Sequence, residues 1–251
     1  MVEARAFQEA LIPERHHALR GADISFFFRP SGHVGGDLVG LFRVSDDRYG
    51  VYAVDVSGHG VASALMTARI AGYFNPMSPE QNIALERKGT DEWGMLPPDD
   101  VCERLNSILL TEMETDTYLT MVLADVNLAT GTVTMTQAGH TSPAIQRADG
   151  SVSFASAFGM PIGLVEGAEF STTDFTLSVG DRVLLYSDGI TECPLHNEEM
   201  LEEEGLAELL NDHRSKRGNA LLDAIVSELS KRTGLNNFPD DLSCALIEMK
   251  G

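Results

Sequence analysis

The chain has 251 residues, with 18 Lys+Arg against 38 Asp+Glu, a formal net charge of −20 and 43% hydrophobic residues. That apolar share is enough for a sizeable core and excludes disorder of the whole chain. The acidic balance excludes partners held by a basic surface, both nucleic acid and an anionic membrane.

No apolar run is long enough to span a bilayer. The first residues lack the basic and apolar pattern of a signal peptide. Cys102, Cys193 and Cys244 are far apart and form no CxxC pair, which speaks against a thiolate zinc site and fits a reducing cytoplasm.

Residues 3 to 12 read as a short helix ended by Pro13, with Ala6, Phe7, Ala10 and Leu11 on one face. Such a stripe packs on its own domain, continues a helix from an upstream domain, or meets the same stripe on another chain. Strand patterns follow at Ile24–Arg29, Leu38–Val44 and Tyr49–Val56, the last two joined by an Asp46-Asp47 turn. After Gly58-His59-Gly60, residues Val61–Phe74 read as a helix. Residues 75 to 97, with Pro76, Pro79 and Pro97, read as loop. A second helix starts at Pro98, with Asp99 and Asp100 placed to favour its positive end.

Tyr118–Val126 and Thr132–Gln137 flank the turn signal Ala129-Thr130-Gly131, and Ala144–Arg147 and Val152–Phe154 flank Ala148-Asp149-Gly150. Phe170–Leu177 and Arg182–Ser187 are further strands. An acidic helix is expected around Glu198–Leu210. Another runs from Asn219 as N-cap to Arg232, with Gly234 as its stop. Leu242–Met249 closes the chain as a strand. Hairpin-linked strands with helices between them predict one α+β layered domain of antiparallel sheets.

Four acidic positions share a pattern. Asp37 follows Gly35-Gly36. Asp55 ends an apolar strand before Val56-Ser57-Gly58-His59-Gly60. Asp188 ends Val183–Ser187 before Gly189. Asp240-Asp241 opens the last strand. A carboxylate at the end of a buried strand is costly unless something positive pairs with it, and few Lys or Arg lie near these motifs. Any one of them alone reads as a turn aspartate. Together they point to a divalent cation, and oxygen-only ligands select Mg²⁺, Mn²⁺ or Ca²⁺ over zinc.

The order and wording of FFFRPSGHVGGD, YAVDVSGHGVASALM, YLTMVLADVNLATGTVTMTQAGHTSPAI, GMPIGL, LSVGDRVLLYSDGITE and PDDLSCALI resemble the PPM (PP2C-like) metal-dependent serine/threonine phosphatases. Within them the chain is most similar to the bacterial SpoIIE/RsbU type, from Leu11 to Met249. The resemblance implies an αββα sandwich of two antiparallel sheets flanked by helices, with a metal centre at one end. It implies residues 1–13 as a linker helix and 14–251 as the phosphatase domain.

By the same resemblance Asp55 bridges two ions and Val56 lends a backbone carbonyl. Asp37 binds one ion, Asp188 the other, and Asp240 is the final ligand. Gly36, Gly58, His59, Gly189 and Asp241 surround these without touching metal. His59 shapes the site, with protonation of the leaving oxygen as its alternative role, and His140 is a structural residue nearby. Two Mn²⁺ or Mg²⁺ ions about 3.5–4 Å apart would activate a bridging water for attack on phosphorus.

The branch often reads Gly-Gly-Asp-x-Tyr-Asp, whereas Gly40 stands here at the second acidic position. The expected substrate is a phosphorylated regulatory protein, such as an anti-sigma-factor antagonist, with a receiver or sensor domain upstream. A weak homodimer through the N-terminal helix is one expectation for the apolar stripe. Two other functions compete. One is a low-activity adaptor on a phosphatase fold, motivated by Gly40 and by residues 75–97. The other is an aspartic dyad of Asp55 and Asp188, which lacks the Asp-Thr/Ser-Gly that such enzymes need.

Overall fold

The central strands decide the architecture, because Ala22–Arg29, Arg48–Val56, Leu119–Asn127, Arg182–Tyr186 and Leu242–Met249 carry buried apolar residues at successive positions and so offer them on both faces. The computed structural model describes residues 2–58, 60–90, 92–112, 117–196, 199–234 and 237–251. One sheet has the order β1 (His16–Leu19), β2 (Ala22–Arg29), β13 (Leu242–Met249), β12 (Arg182–Tyr186), β9 (Ala144–Gln146) and β10 (Val152–Phe154). The other has the order β11 (Thr172–Thr176), β8 (Thr132–Ala138), β7 (Leu119–Asn127), β4 (Arg48–Val56) and β3 (Asp37–Arg43). Every pairing in both is antiparallel.

Val39, Val51, Ala53, Val122 and Ala124 of the second sheet meet Ile24, Val183, Leu185, Ala245 and Ile247 of the first in a buried layer between the sheets. The alternate residues face outward. Leu38, Tyr52, Val54 and Leu123 pack under α2 (Val61–Tyr73) and α3 (Pro98–Glu112). Leu184, Tyr186 and Leu246 pack under α5 (Glu202–Asp212) and α6 (Gly218–Thr233). The result is four layers, helix–sheet–sheet–helix. Beneath α2, Phe74 lies between Tyr52 and Phe42, with ring centroids 4.7 and 6.0 Å away. Each such buried ring contributes about 1.5–3 kcal/mol.

Several expectations are corrected. The 75–97 segment is not plain loop: it holds a 3₁₀ turn at Pro79–Gln81 and a hairpin of β5 (Leu85–Arg87) and β6 (Trp93–Met95), whose Leu85 and Met95 join the outer core. Asn219 is not the N-cap of α6. Arg217 is, and the buried Glu248 carboxylate of β13 accepts the Gly218 N–H at 2.6 Å. The acidic helix begins at Glu202, and Glu198 lies outside the described residues. The strand expected from Phe170 begins at Thr172. The first helix, α1 (Val2–Glu9), is shorter than expected and buries Gln8 rather than Phe7, which is 58% exposed.

Candidate metal centre

The inter-sheet layer turns polar at one end. Asp37 on β3 pairs with Asp55 on β4, which pairs with Thr120 on β7, so three polar residues continue the row of Val39, Ala53 and Val122. From the facing sheet come Ser187, at the end of β12, and Ser243 of β13. Ser187 Oγ accepts the Ser243 N–H at 3.0 Å and donates to the Asp241 carbonyl at 3.2 Å. Asp188 opens the single turn α4 (Asp188–Thr191), too short to leave a helical period in the sequence.

Asp37 is buried, and its Oδ2 has no hydrogen-bond partner. Burial, then the charges of Asp55 and Asp241, push its pKa well up, with the Ser187 and Ser243 hydroxyls pulling the other way. Asp55 is pushed up to about 7, by burial first and then by the charges of Asp188, Asp240 and Asp241. Asp188 is pushed up to about 6, by burial and then by Asp240 and Glu192. Asp37, Asp55, Asp188 and Asp240, read separately from the sequence, thus act on one another across the two sheets. Among the described residues, none of the ion pairs involves any of the four.

The two adjacent aspartates of the last motif differ. Asp241 is buried, and its carboxylate accepts Ser31 N–H at 2.7 Å, Ser31 O–H at 2.9 Å and Gly36 N–H at 2.7 Å. It is consumed in holding the loop before β3. Asp240 is exposed beside it and accepts the Asp241 N–H at 2.7 Å. A cavity of about 540 Å³ opens next to Asp240, with His33, Val61 and Phe238 in its wall.

Backbone crowding explains the glycines at the centre. A Cβ on Gly36 would sit 2.6 Å from the Val56 carbonyl oxygen and 3.4 Å from Asp55 Oδ1, and one on Gly189 would overlap the Asp241 carbonyl. Gly58 turns the chain out of β4 with a φ of 91°. His59 lies outside the described residues. His140 is buried near this end. Its Nδ1 lies 2.8 Å from Thr120 Oγ1, and burial lowers its pKa to about 4, so it is neutral.

Gly40 is not at the centre. It is three residues along β3 on the opposite face, and a Cβ there would overlap the Tyr52 ring. Tyr52 occupies the space that an acidic side chain would need.

Reading by apolar periodicity missed the residues that hold this end together. Gln8 of α1 donates to the Gly35 carbonyl at 2.7 Å and accepts the Gly35 N–H at 2.9 Å. Thr67 of α2 donates to the Gly36 carbonyl at 2.9 Å. A polar residue buried at a helical position was the only signal available for either.

Among the described residues, no three His, Cys, Asp or Glu side chains stand close enough to enclose one ion unaided. A hard cation does not need that: Mg²⁺ is commonly held by one or two carboxylates, with water completing the shell. An all-oxygen donor set, an orphaned buried carboxylate oxygen and the lack of a basic partner fit such an ion.

The sequence matches the family described as Stage II sporulation protein E (SpoIIE) over residues 45–250. It is 26% identical over 234 residues to the phosphoserine phosphatase RsbP of Bacillus subtilis (strain 168), covering 90% of this chain and 52% of RsbP. To the phosphoserine phosphatase RsbU of the same organism it is 24% identical over 247 residues, covering 97% of this chain and 68% of RsbU. The chain therefore spans about half to two thirds of the length of these relatives. Its fold superimposes on the SiaA-PP2C domain of Pseudomonas aeruginosa with a TM-score of 0.79 at 20% identity, covering 99% of this chain and 95% of that one. With the family match extending over most of the chain and the PP2C-like sandwich around the acidic end, the chain belongs to the SpoIIE family.

Proposed function

We propose that this chain is a metal-dependent protein phosphatase of the RsbU/RsbP/SpoIIE type, acting on phosphoserine or phosphothreonine of a regulatory protein. The observation that carries the reading is the group Asp37, Asp55, Asp188 and Asp240, drawn from both sheets to one end of the sandwich without a basic partner. Asp55 faces Asp37 on its own sheet and feels Asp188 and Asp240 on the other, so it is the carboxylate placed to serve two ions. Asp37 and the Val56 carbonyl would hold one, and Asp188 and Asp240 the other. Mn²⁺ or Mg²⁺ held there would supply charge to neutralise phosphoryl oxygens and would lower the pKa of a bound water.

The chain's own residues do the positioning. Asp241, Gln8 and Thr67 fix the Ser31–Gly36 loop that delivers Asp37. The exposed Asp240 stands at the mouth of the cavity with His33 and Phe238, where a phosphorylated segment would enter. The names of RsbP and RsbU support phosphoserine as the substrate group, and an anti-sigma-factor antagonist is the target proposed from that resemblance. Residues 1–13 are proposed as the link to a receiver or sensor domain. Of the two features behind the adaptor alternative, Gly40 is matched to the Tyr52 ring, and the 75–97 segment packs Leu85 and Met95 into the outer core.

Purified protein should hydrolyse p-nitrophenyl phosphate and a phosphoserine peptide, lose this with EDTA, and regain it with Mn²⁺ or Mg²⁺. Turnover indifferent to EDTA, or none with either ion, overturns the reading.

A further inference from the structure

The opposite end of the sandwich carries a second charged cavity. Asp188 lies six residues beyond Arg182, just past the far end of β12, which at about 3.3 Å per residue puts the two ends roughly 20 Å apart. There, a pocket of about 460 Å³ opens between the β9–β10 turn, the start of β12 and the α5–α6 connection, lined by Arg147, Arg182, Arg214 and Arg217. With the adjacent Lys216, five of the chain's 18 basic residues gather here, in a protein of net charge −20.

The local carboxylates do not cancel them. Glu248 is occupied by the Gly218 N–H at 2.6 Å, with Arg182 at 3.4 Å and Arg217 at 3.7 Å. Asp181 accepts from Arg147 at 2.8 Å and from the Ser178 and Ala148 N–H groups at 2.9 Å. Asp149 is turned onto Ser151. Five cations therefore stand against three carboxylates. Arg182, only 3% exposed, forms a rigid floor through Gln146, Glu248 and the Lys216 carbonyl. Arg214 is exposed, and among the described residues no hydrogen bond or ion pair takes its guanidinium. The start of α6 adds nothing to this, because the Glu248 carboxylate already accepts its Gly218 N–H.

We infer that this pocket binds a compact phosphate-bearing small anion, with Arg214 as the principal free fork over a floor set by Arg182. Guanidinium groups match tetrahedral oxyanions with paired N–H donors. The concave shape suits a small ligand. No aromatic side chain lines the pocket among the described residues, which leaves no platform for a nucleotide base.

The test is a ¹H–¹⁵N NMR titration of the Mg²⁺-loaded chain with inorganic phosphate and with pyrophosphate, against sodium chloride at matched ionic strength. Saturable shifts are expected at the amides of Ala148, Gly150, Gly180 and residues 215–218. Arg214→Glu should weaken them by about tenfold or more, the worth of one charge-assisted hydrogen bond. Arg214→Lys keeps the charge and loses the paired donors, so its affinity should fall between wild type and Arg214→Glu, and both variants should keep p-nitrophenyl phosphate turnover. Shifts confined to the Asp188 end, or unsaturable shifts equal to those from chloride, overturn the inference. So does a Glu-rich peptide that binds at these amides where phosphate and pyrophosphate do not, which would make the patch a docking face for acidic protein.

Discussion

The two ends of the sandwich bury the same kind of side chain with opposite consequences. At the start of β12, Asp181 takes Arg147 and two backbone N–H groups, and its pKa is lowered against the cost of its burial. At the start of β3, Asp37 is as little exposed to solvent, faces two other carboxylates, and is pushed up. A buried carboxylate with its counter-charge in place is a structural element. One without it stores an unfavourable interaction that a proton or a bound cation relieves.

The sharpest way to break this comparison is to remove one acid from each end. Asp55→Asn should lower metal-activated turnover by about a thousandfold or more, while the metal-free protein is no less stable in urea, since an uncompensated charge has gone. Glu248→Gln leaves Arg182 buried without its acid and should cost about 3–5 kcal/mol, with turnover preserved in whatever remains folded. If Asp55→Asn destabilises as much as Glu248→Gln, the two ends are alike and the metal reading fails.

The adjacent pair at the last motif gives a smaller version of the same contrast. Asp240→Asn should depress turnover and leave stability unchanged. Asp241→Asn should retain more activity yet lose about 1–3 kcal/mol, because its carboxylate holds Ser31 and Gly36. The reverse order would show that the ligand role belongs to Asp241. Gln8→Ala deletes both bonds to Gly35 and should cost about 1–2 kcal/mol, with an added requirement for metal measurable as a raised Mg²⁺ concentration for half activation.

Protons give a gentler probe. Asp55 and Asp188, at about 7 and about 6, hold protons in the folded state that the unfolded chain has released above pH 4. Without metal, their contribution to stability is therefore full at low pH and is lost as pH rises through 6 to 7. A bound cation removes that loss. The melting temperature gained on adding Mg²⁺ should be larger at pH 8 than at pH 5, at about 2–4 °C per kcal/mol of binding. A gain independent of pH would mean that Mg²⁺ binds elsewhere.

What could be read without coordinates followed from local chemistry. Val152–Phe154 and Leu242–Met249 carry strand residues between turn signals, and their limits coincide with β10 and β13. The four aspartates stood out because strand ends with no basic neighbour are legible in one dimension. Long-range partners were not. The first N–H of α6, that of Gly218, is taken by Glu248, thirty residues away, and nothing near Asn219 announces it. β1, with the sequence His-His-Ala-Leu, has too little apolar character to signal a strand and exists because it pairs with β2. Gln8 was hidden because periodicity finds apolar faces, while α1 is anchored by a polar one.

That anchor makes α1 itself a last, small test of inside against outside. Gln8 points into the loop before β3, and Phe7 points away from it, 58% exposed. Leu11 and Ile12 are already packed against the core below α2, so the exposed remainder of the stripe is not needed to close the domain. An exposed ring on a helix of eight residues, too short to persist alone, is suited to a weak two-fold contact with the same helix of a second chain. Sedimentation should then show a weight-average mass that rises with concentration for wild type and stays monomeric for Phe7→Glu. Because Phe7 is exposed, the variant's unfolding free energy should stay within about 0.5 kcal/mol of wild type. A wild type that is monomeric at every concentration removes the dimer. A Phe7→Glu variant that loses more than that stability shows instead that the ring is packed on its own domain in solution.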